Sequence, residues 1–162
     1  MRCVRFEEQG RARIGFIDGD VIRAVYGSID TYWRMTDEVF PLAGAKLLAP
    51  CVPKQIICVG FNYRDHAREF HVDVPKEPAL FTKAAHTVIG NDGKIIYPRQ
   101  SHEVVYEAEL GVVIKKRMKD VAPEDVPDYI LGYTCANDVT ARDMQLSDLS
   151  LIHISEPTRR SY

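Results

Sequence analysis

Residues 104–114 read VVYEAELGVVI, an apolar, Val-rich run interrupted by two carboxylates, Glu107 and Glu109. Its composition and length predict a buried β-strand. Residues i and i+2 of a strand project to the same face, so the two acids emerge side by side. Two like charges buried together are costly unless something pairs with them. This strand therefore bears on the fold class and poses a chemical question, namely what neutralises the pair.

Downstream, LGYTCANDV (131–139) is a further apolar strand with Asp138 at its C-terminal end. Three carboxylates converging from two strands repel one another without a cation. Oxygen-only ligation suits a hard divalent ion such as Mg²⁺, Mn²⁺ or Ca²⁺ and argues against zinc. The simpler alternative leaves Glu107 and Glu109 on a solvated edge or paired with basic residues. Between the two strands, KKRMK (115–119) reads as a solvated strand end. VAPEDVPDYI reads as a short helix from Pro123, since proline fits a first helical turn. In TARDMQLSD, Thr140 precedes Asp143 by three residues, the spacing of a helix start.

Upstream, QIICVGFNY (55–63) predicts a buried strand ending at a glycine, followed by a short helix, RDHAREF. That helix brings His66 and Glu69, at i and i+3, to one face. A histidine oriented by a carboxylate is suited to taking a proton from water, although many such pairs are only solvated neighbours. EPALFTKAA (77–85) reads as a strand, and VIGNDGKIIYP as a hairpin turning at Asn91-Asp92-Gly93. The first 48 residues read as a small β-rich unit. MRCVRFEE alternates apolar and polar, RIGFIDGDVIRAVYG is a hairpin with Asp18-Gly19 at its turn, and a helix is expected over Ser28–Phe40 with Trp33 on its apolar side. LLAPCVPKQ, with Pro50 and Pro53, reads as a linker. Short strands, hairpins and a few small helices predict an α+β, mainly β, arrangement rather than βαβ units.

The totals narrow the function classes. The chain has 162 residues, a formal net charge of −2 and 46% hydrophobic residues, which suits a globular protein. It carries no clustered basic face, so nucleic acid is not expected as a partner. MRCVRFEEQG places charges where a signal peptide needs an apolar run, and no stretch approaches the roughly 18–20 apolar residues that span a bilayer. A cytoplasmic protein without a membrane partner is the expectation. Cys3, Cys51, Cys58 and Cys135 form no C-x-x-C pair and are expected to be reduced thiols.

Four blocks in order, ICVGFNYRDHAREF, PALFTKAA, YEAELGVVI and NDVTARDMQ, resemble the fumarylacetoacetate hydrolase family from about Ala49 to Gln145. The resemblance implies a small N-terminal region (1–48) followed by the first half of a mixed β-roll catalytic domain (49–147). It implies that Glu107, Glu109 and Asp138 ligate a divalent metal, Mg²⁺ or else Mn²⁺ or Ca²⁺. His66 and Glu69 match the family's catalytic pair, on a helix that orders as a lid. Lys83 matches a lysine facing the active site, and Arg142 and Gln145 match positions that contact substrate oxygens. Each has a plainer reading: a surface charge for Lys83, an ion pair with Asp143 for Arg142, a solvated helix residue for Gln145.

The implied activity is metal-dependent chemistry on 2-oxo acids or 1,3-dicarbonyl acids. Carbon–carbon hydrolysis, decarboxylation and keto–enol isomerisation share one enolate, so the outcome stays open between acylpyruvate hydrolase-like and 2-hydroxyhepta-2,4-diene-1,7-dioate isomerase-like chemistry. A ureidoglycolate lyase-type activity and a non-catalytic metal- or 2-oxo-acid-binding protein are the alternatives. The resemblance also implies a homodimer for the full-length parent. After Gln145 the pattern fails: SLIHISEPTRRS has no counterpart in the family and resembles translated adapter sequence. Residues 148–162 are therefore expected to be a non-native tail on a truncated chain, which by itself is expected to fold poorly and be inactive.

Overall fold

The computed structural model of the chain describes residues 1–69 and 71–147. The expectation for residues 148–162 lies outside the described residues.

Strands β1 (Arg2–Glu8), β2 (Arg11–Asp18), β3 (Val21–Gly27), β4 (Trp33–Pro41) and β5 (Lys46–Leu48) form one antiparallel sheet in the order β4-β3-β2-β1-β5. Glu8 faces Arg11, which leaves Gln9 and Gly10 as a two-residue loop with φ of 49° and 74°. Two positive φ values match the right-handed twist of the flanking strands. Asp18 pairs with Val21, so the next loop is Gly19-Asp20, one residue later than the expected Asp18-Gly19 turn.

The helix expected over Ser28–Phe40 is instead strand β4. Its register with β3 shifts by two residues between Val25↔Met35 and Arg23↔Val39. This bulge breaks the period of two, and the half-buried residues of β4 become Trp33, Thr36 and Phe40. Spacings of three and four are those of a helix face, which explains the misreading. Thr36 Oγ1 donates to the Ala24 carbonyl at 2.9 Å and accepts from the Glu38 N–H at 3.3 Å, satisfying polar groups that the ladder leaves unpaired there.

The sheet carries most of the buried core. Phe6, Ile22 and Ala24 are almost fully buried, and Phe16 and Val25 nearly so. Burying a side chain such as Ile22 contributes about 1.5–3 kcal/mol. The Phe6 and Phe40 rings lie 5.2 Å apart, and Phe16 and Trp33 4.9 Å. Packing is tight enough to exclude a side chain at Gly15, where a Cβ would meet Ile22 Cγ2 at 2.5 Å and the Arg23 carbonyl at 2.7 Å.

Residues 49–55 carry no helix or strand. Strand β6 (Ile56–Gly60), helix α1 (Arg64–Glu69) and strand β7 (Ala79–Lys83) follow, and β6 pairs antiparallel with β7. β6 is not buried as expected: Ile57 and Val59 are exposed and alternate with half-buried neighbours. At 90–93 the turn forms, with the Gly93 N–H on the Gly90 carbonyl at 3.1 Å, but its flanks make no strands. The expected hairpin is thus only a turn, since two short arms without a third strand are marginal.

The quoted stretch is two strands, β8 (Val104–Val105) and β9 (Ala108–Ile114), interrupted at Tyr106-Glu107. It is not uniformly buried; β9 alternates exposed and half-buried positions. A short 3₁₀ helix spans Pro123–Tyr129 with a proline at its start. Strand β10 (Ile130–Asn137) pairs antiparallel with β9, strand β11 (Thr140–Ala141) pairs with β8, and helix α2 (Arg142–Ser147) ends the described chain. The fold is α+β and mainly β. Among the described residues no helix is long and apolar enough to cross a membrane.

The chain divides into two compact units. Among the described residues, one comprises Met1–Cys51, Ile89–Ile96 and Val105–Thr140; the other comprises 52–69, 71–88, Tyr97–Val104 and 141–147.

Candidate functional site

The first unit carries the acidic residues. In the β9–β10 register Glu109 lies opposite Ala136. One residue beyond the ladder, the Asp138 N–H donates to the Glu107 carbonyl at 2.9 Å. The Glu107 N–H is taken by the Asn137 side-chain oxygen at 3.0 Å rather than by a backbone carbonyl. Cross-strand partners and i, i+2 neighbours share a face, so this register brings the backbones of Glu107, Glu109 and Asp138 to one side of the ribbon. All three are half-buried. Among the described residues, however, no three His, Cys, Asp or Glu side chains are gathered into a cluster that could hold a metal ion as they stand. The donor set, three carboxylates with no nitrogen or sulfur, suits a hard dication in type.

The second unit carries the remaining candidates. In α1, His66 Nδ1 faces Glu69 Oε2 at 3.7 Å, so the i, i+3 spacing brings the pair together slightly beyond hydrogen-bond reach. After Glu69 the chain turns by a left-handed residue, His71 (φ 53°). Its N–H bonds to the Arg68 carbonyl at 3.1 Å, and the Val72 N–H bonds to the Ala67 carbonyl at 3.0 Å. These bonds close the helix end in the manner of a Schellman motif. The Phe61 ring lies 5.7 Å from the His66 ring. Phe61 has φ of 51°, an outlier for a bulky residue, and lines a shallow cleft of about 230 Å³ with Val59, Gly60, Asn62 and Lys76. Sequence reasoning passed over Phe61; its only signal was its place after the glycine that ends β6. Lys83 is half-buried at the end of β7, opposite Ile56.

Arg142 and Gln145 sit on α2 and meet each other, with Arg142 Nη1 donating to Gln145 Oε1. Asp143, expected only as a helix-start residue or a partner for Arg142, is the hub of this region. Its Oδ1 accepts from the Ser101 hydroxyl at 2.6 Å and the Met144 N–H at 2.9 Å; its Oδ2 accepts from the His102 N–H at 2.6 Å. These bonds, the His102 N–H first and the Ser101 hydroxyl next, hold the Asp143 carboxyl below the usual carboxylate range. Thr140 does not cap the helix; its hydroxyl donates to the Asp138 carbonyl at 3.1 Å.

Residues 55–158 match the family described as fumarylacetoacetate (FAA) hydrolase C-terminal, and residues 1–50 match an Rv2993c-like N-terminal family. The chain belongs to the fumarylacetoacetate hydrolase family. It is 50% identical over 101 residues to the mitochondrial oxaloacetate tautomerase fahd2 of Xenopus laevis, covering 62% of this chain and 32% of that protein. To the mitochondrial oxaloacetate tautomerase FAHD2A of Bos taurus it is 40% identical over 144 residues, covering 88% and 42%. Among solved structures it is similar to the 5-carboxymethyl-2-hydroxymuconate delta-isomerase of Mycobacterium smegmatis (TM-score 0.80, 34% identity, 91% of this chain and 58% of that one). The 2-hydroxyhepta-2,4-diene-1,7-dioate isomerase of Mycobacterium marinum gives a TM-score of 0.79 at 32% identity, covering 91% and 57%. These neighbours share the β-rich fold expected of the family. The chain spans less than two thirds of the length of each of these four proteins.

Proposed function

We infer that this chain is part of an enzyme that interconverts keto and enol forms of 2-oxo acids, with oxaloacetate-like dicarboxylates as the substrate class. The activities named for the four relatives above are tautomerisation and isomerisation, and the observation in this chain that supports the reading best is the β9–β10 register, which sets the backbones of three acidic residues on one side of a ribbon. A divalent cation held by Glu107, Glu109 and Asp138 would act as a Lewis acid on the substrate oxygens and favour an enolate. His66, oriented by Glu69, moves the proton between carbon and solvent or oxygen. Arg142 binds a substrate carboxylate through charge-assisted hydrogen bonds, Gln145 adds an amide contact to it or to the adjacent carbonyl, and Lys83 contributes a positive charge. Hydrolysis, which the family's own description names, and decarboxylation are the alternative outcomes through the same enolate.

The test follows the enol absorbance of oxaloacetate with and without Mg²⁺ or Mn²⁺, in the full-length enzyme that carries this sequence. His66→Ala is expected to lower turnover by about 10²–10⁴-fold, the usual scale for a general acid–base, while the rise in thermal stability on adding metal is retained. Glu107→Gln is expected to abolish that thermal rise, which at a hundredfold excess over Kd amounts to about 2.7 kcal/mol. An unchanged rate in His66→Ala would refute the proton-transfer role. A metal response that survives in Glu107→Gln would refute the ligand set.

A further inference from the structure

The geometry points to Asp143 and Ser101 as a clasp that positions Arg142 for a substrate carboxylate, an inference that rests on the role given to Arg142 above. Asp143 joins two segments far apart in sequence. From the 101–103 segment it takes the Ser101 hydroxyl and the His102 N–H, each at 2.6 Å. Ser101 is 4% exposed, and its Oγ also accepts the Glu103 N–H at 3.2 Å. The circuit closes through Arg142 itself, whose N–H donates to the Glu103 carbonyl at 2.8 Å. The backbone of Arg142 is thus fixed from both sides, by its own bond to Glu103 and by the carboxylate of the next residue.

An ordinary helix start does not account for this arrangement. A helix-start carboxylate needs only nearby N–H groups of its own helix, and the Met144 N–H supplies one. The bonds to residues 41 and 42 positions earlier do something else. The first N–H groups of a helix have no partner within the helix, so the Arg142 backbone at the start of α2 is held by partners outside it. An arginine fork selects a carboxylate by planar geometry, and that selection is lost if the backbone beneath it drifts. The guanidinium is steered as well, through Gln145 one turn on.

The test is a double-variant cycle on oxaloacetate turnover in the full-length enzyme that carries this sequence, paired with ¹⁵N relaxation at the Arg142 Nε–H. Asp143→Ala is expected to raise KM about tenfold, the scale of one charge-assisted hydrogen bond, with kcat changed less than about twofold. It is also expected to reduce the order of the Arg142 side chain. Asp143→Asn, which keeps one acceptor oxygen, should recover part of both losses. Ser101→Ala, which leaves Asp143 its backbone donors, should shift KM in the same direction by a smaller factor and serves if Asp143→Ala folds poorly. Arg142→Ala should raise KM as much as Asp143→Ala, and the double variant should be no worse than Arg142→Ala alone. Multiplying effects in the double variant, or unchanged Arg142 order in both Asp143→Ala and Ser101→Ala, would overturn the clasp. If Arg142→Ala leaves KM unchanged while Asp143→Ala still loosens the Arg142 side chain, the clasp stands and the substrate role of Arg142 fails.

Discussion

The N-terminal sheet and the β9–β10 ribbon are both antiparallel and both rich in β-branched residues, yet they bury their apolar side chains very differently. In the sheet, Phe6 and Ile22 are 1% and 0% exposed. On the ribbon, Leu110 and Tyr133 are 61% and 65% exposed, on the face opposite the one that carries Glu109. The difference is one of strand number and curvature. Five strands with a two-residue bulge coil enough for side chains to pack across the sheet, as Phe6 does on Phe40. Two strands cannot wrap around anything, and an isolated pair is marginally stable in water. The acidic residues of the candidate site thus lie on the less consolidated of the two regions.

The largest expected effect measures that difference directly. Phe6→Ala should destabilise the chain by about 3–5 kcal/mol, from lost transfer energy plus a cavity. Leu110→Ala should stay within about 0.5 kcal/mol, as surface substitutions do. Denaturant unfolding of both variants checks the pair, and comparable losses would mean that the ribbon face is covered in solution.

Next in size is the bulge. Thr36→Val keeps shape and β-propensity but removes the hydroxyl that bonds both the Ala24 carbonyl and the Glu38 N–H. Leaving the part-buried Ala24 carbonyl without that partner should cost about 1–2 kcal/mol. A neutral result from thermal unfolding would show that the twist of β3 and β4 holds the bulge without it.

The same bulge marks where the sequence misleads. Alternation identifies β1, β2 and β3 because their registers run unbroken, whereas the shift in β4 imitates a helical period and reads as one. At 104–114 the apolar run conceals a break, since Glu107 hands its N–H to the Asn137 side chain instead of the ladder. Neither event leaves a local signature; each depends on a partner strand. Helix α1 was legible because its periodicity and its His66–Glu69 spacing are local. The placement of the Glu107, Glu109 and Asp138 backbones on one side of the ribbon was legible, because strand parity follows from spacing and Asp138 lies one residue beyond a strand end. Asp143 was not, because its importance lies in contacts with Ser101 and His102, which no spacing rule connects to it.

The smallest effect compares the two regions through their thiols. Cys3 lies on β1, opposite Phe16 and half-buried, and burial pushes its thiol up from the ordinary range. Cys135 lies on β10, opposite Leu110 on the open face of the ribbon, and is exposed. Because the thiolate is the nucleophile, maleimide at pH 8 should modify Cys135 faster than Cys3, by on the order of tenfold or more, as read by peptide mass mapping over time. The sign of the linkage adds a second readout. A raised folded pKa means that Cys3 contributes stability fully below its unfolded value, and that contribution is lost as pH rises through the folded value. Raising the pH into that alkaline window should therefore speed Cys3 labelling both by ionising the thiol and by loosening β1. Equal labelling rates at pH 8 would mean that the sheet opens as readily as the ribbon, and the contrast between a consolidated sheet and an open, acid-bearing ribbon would fail.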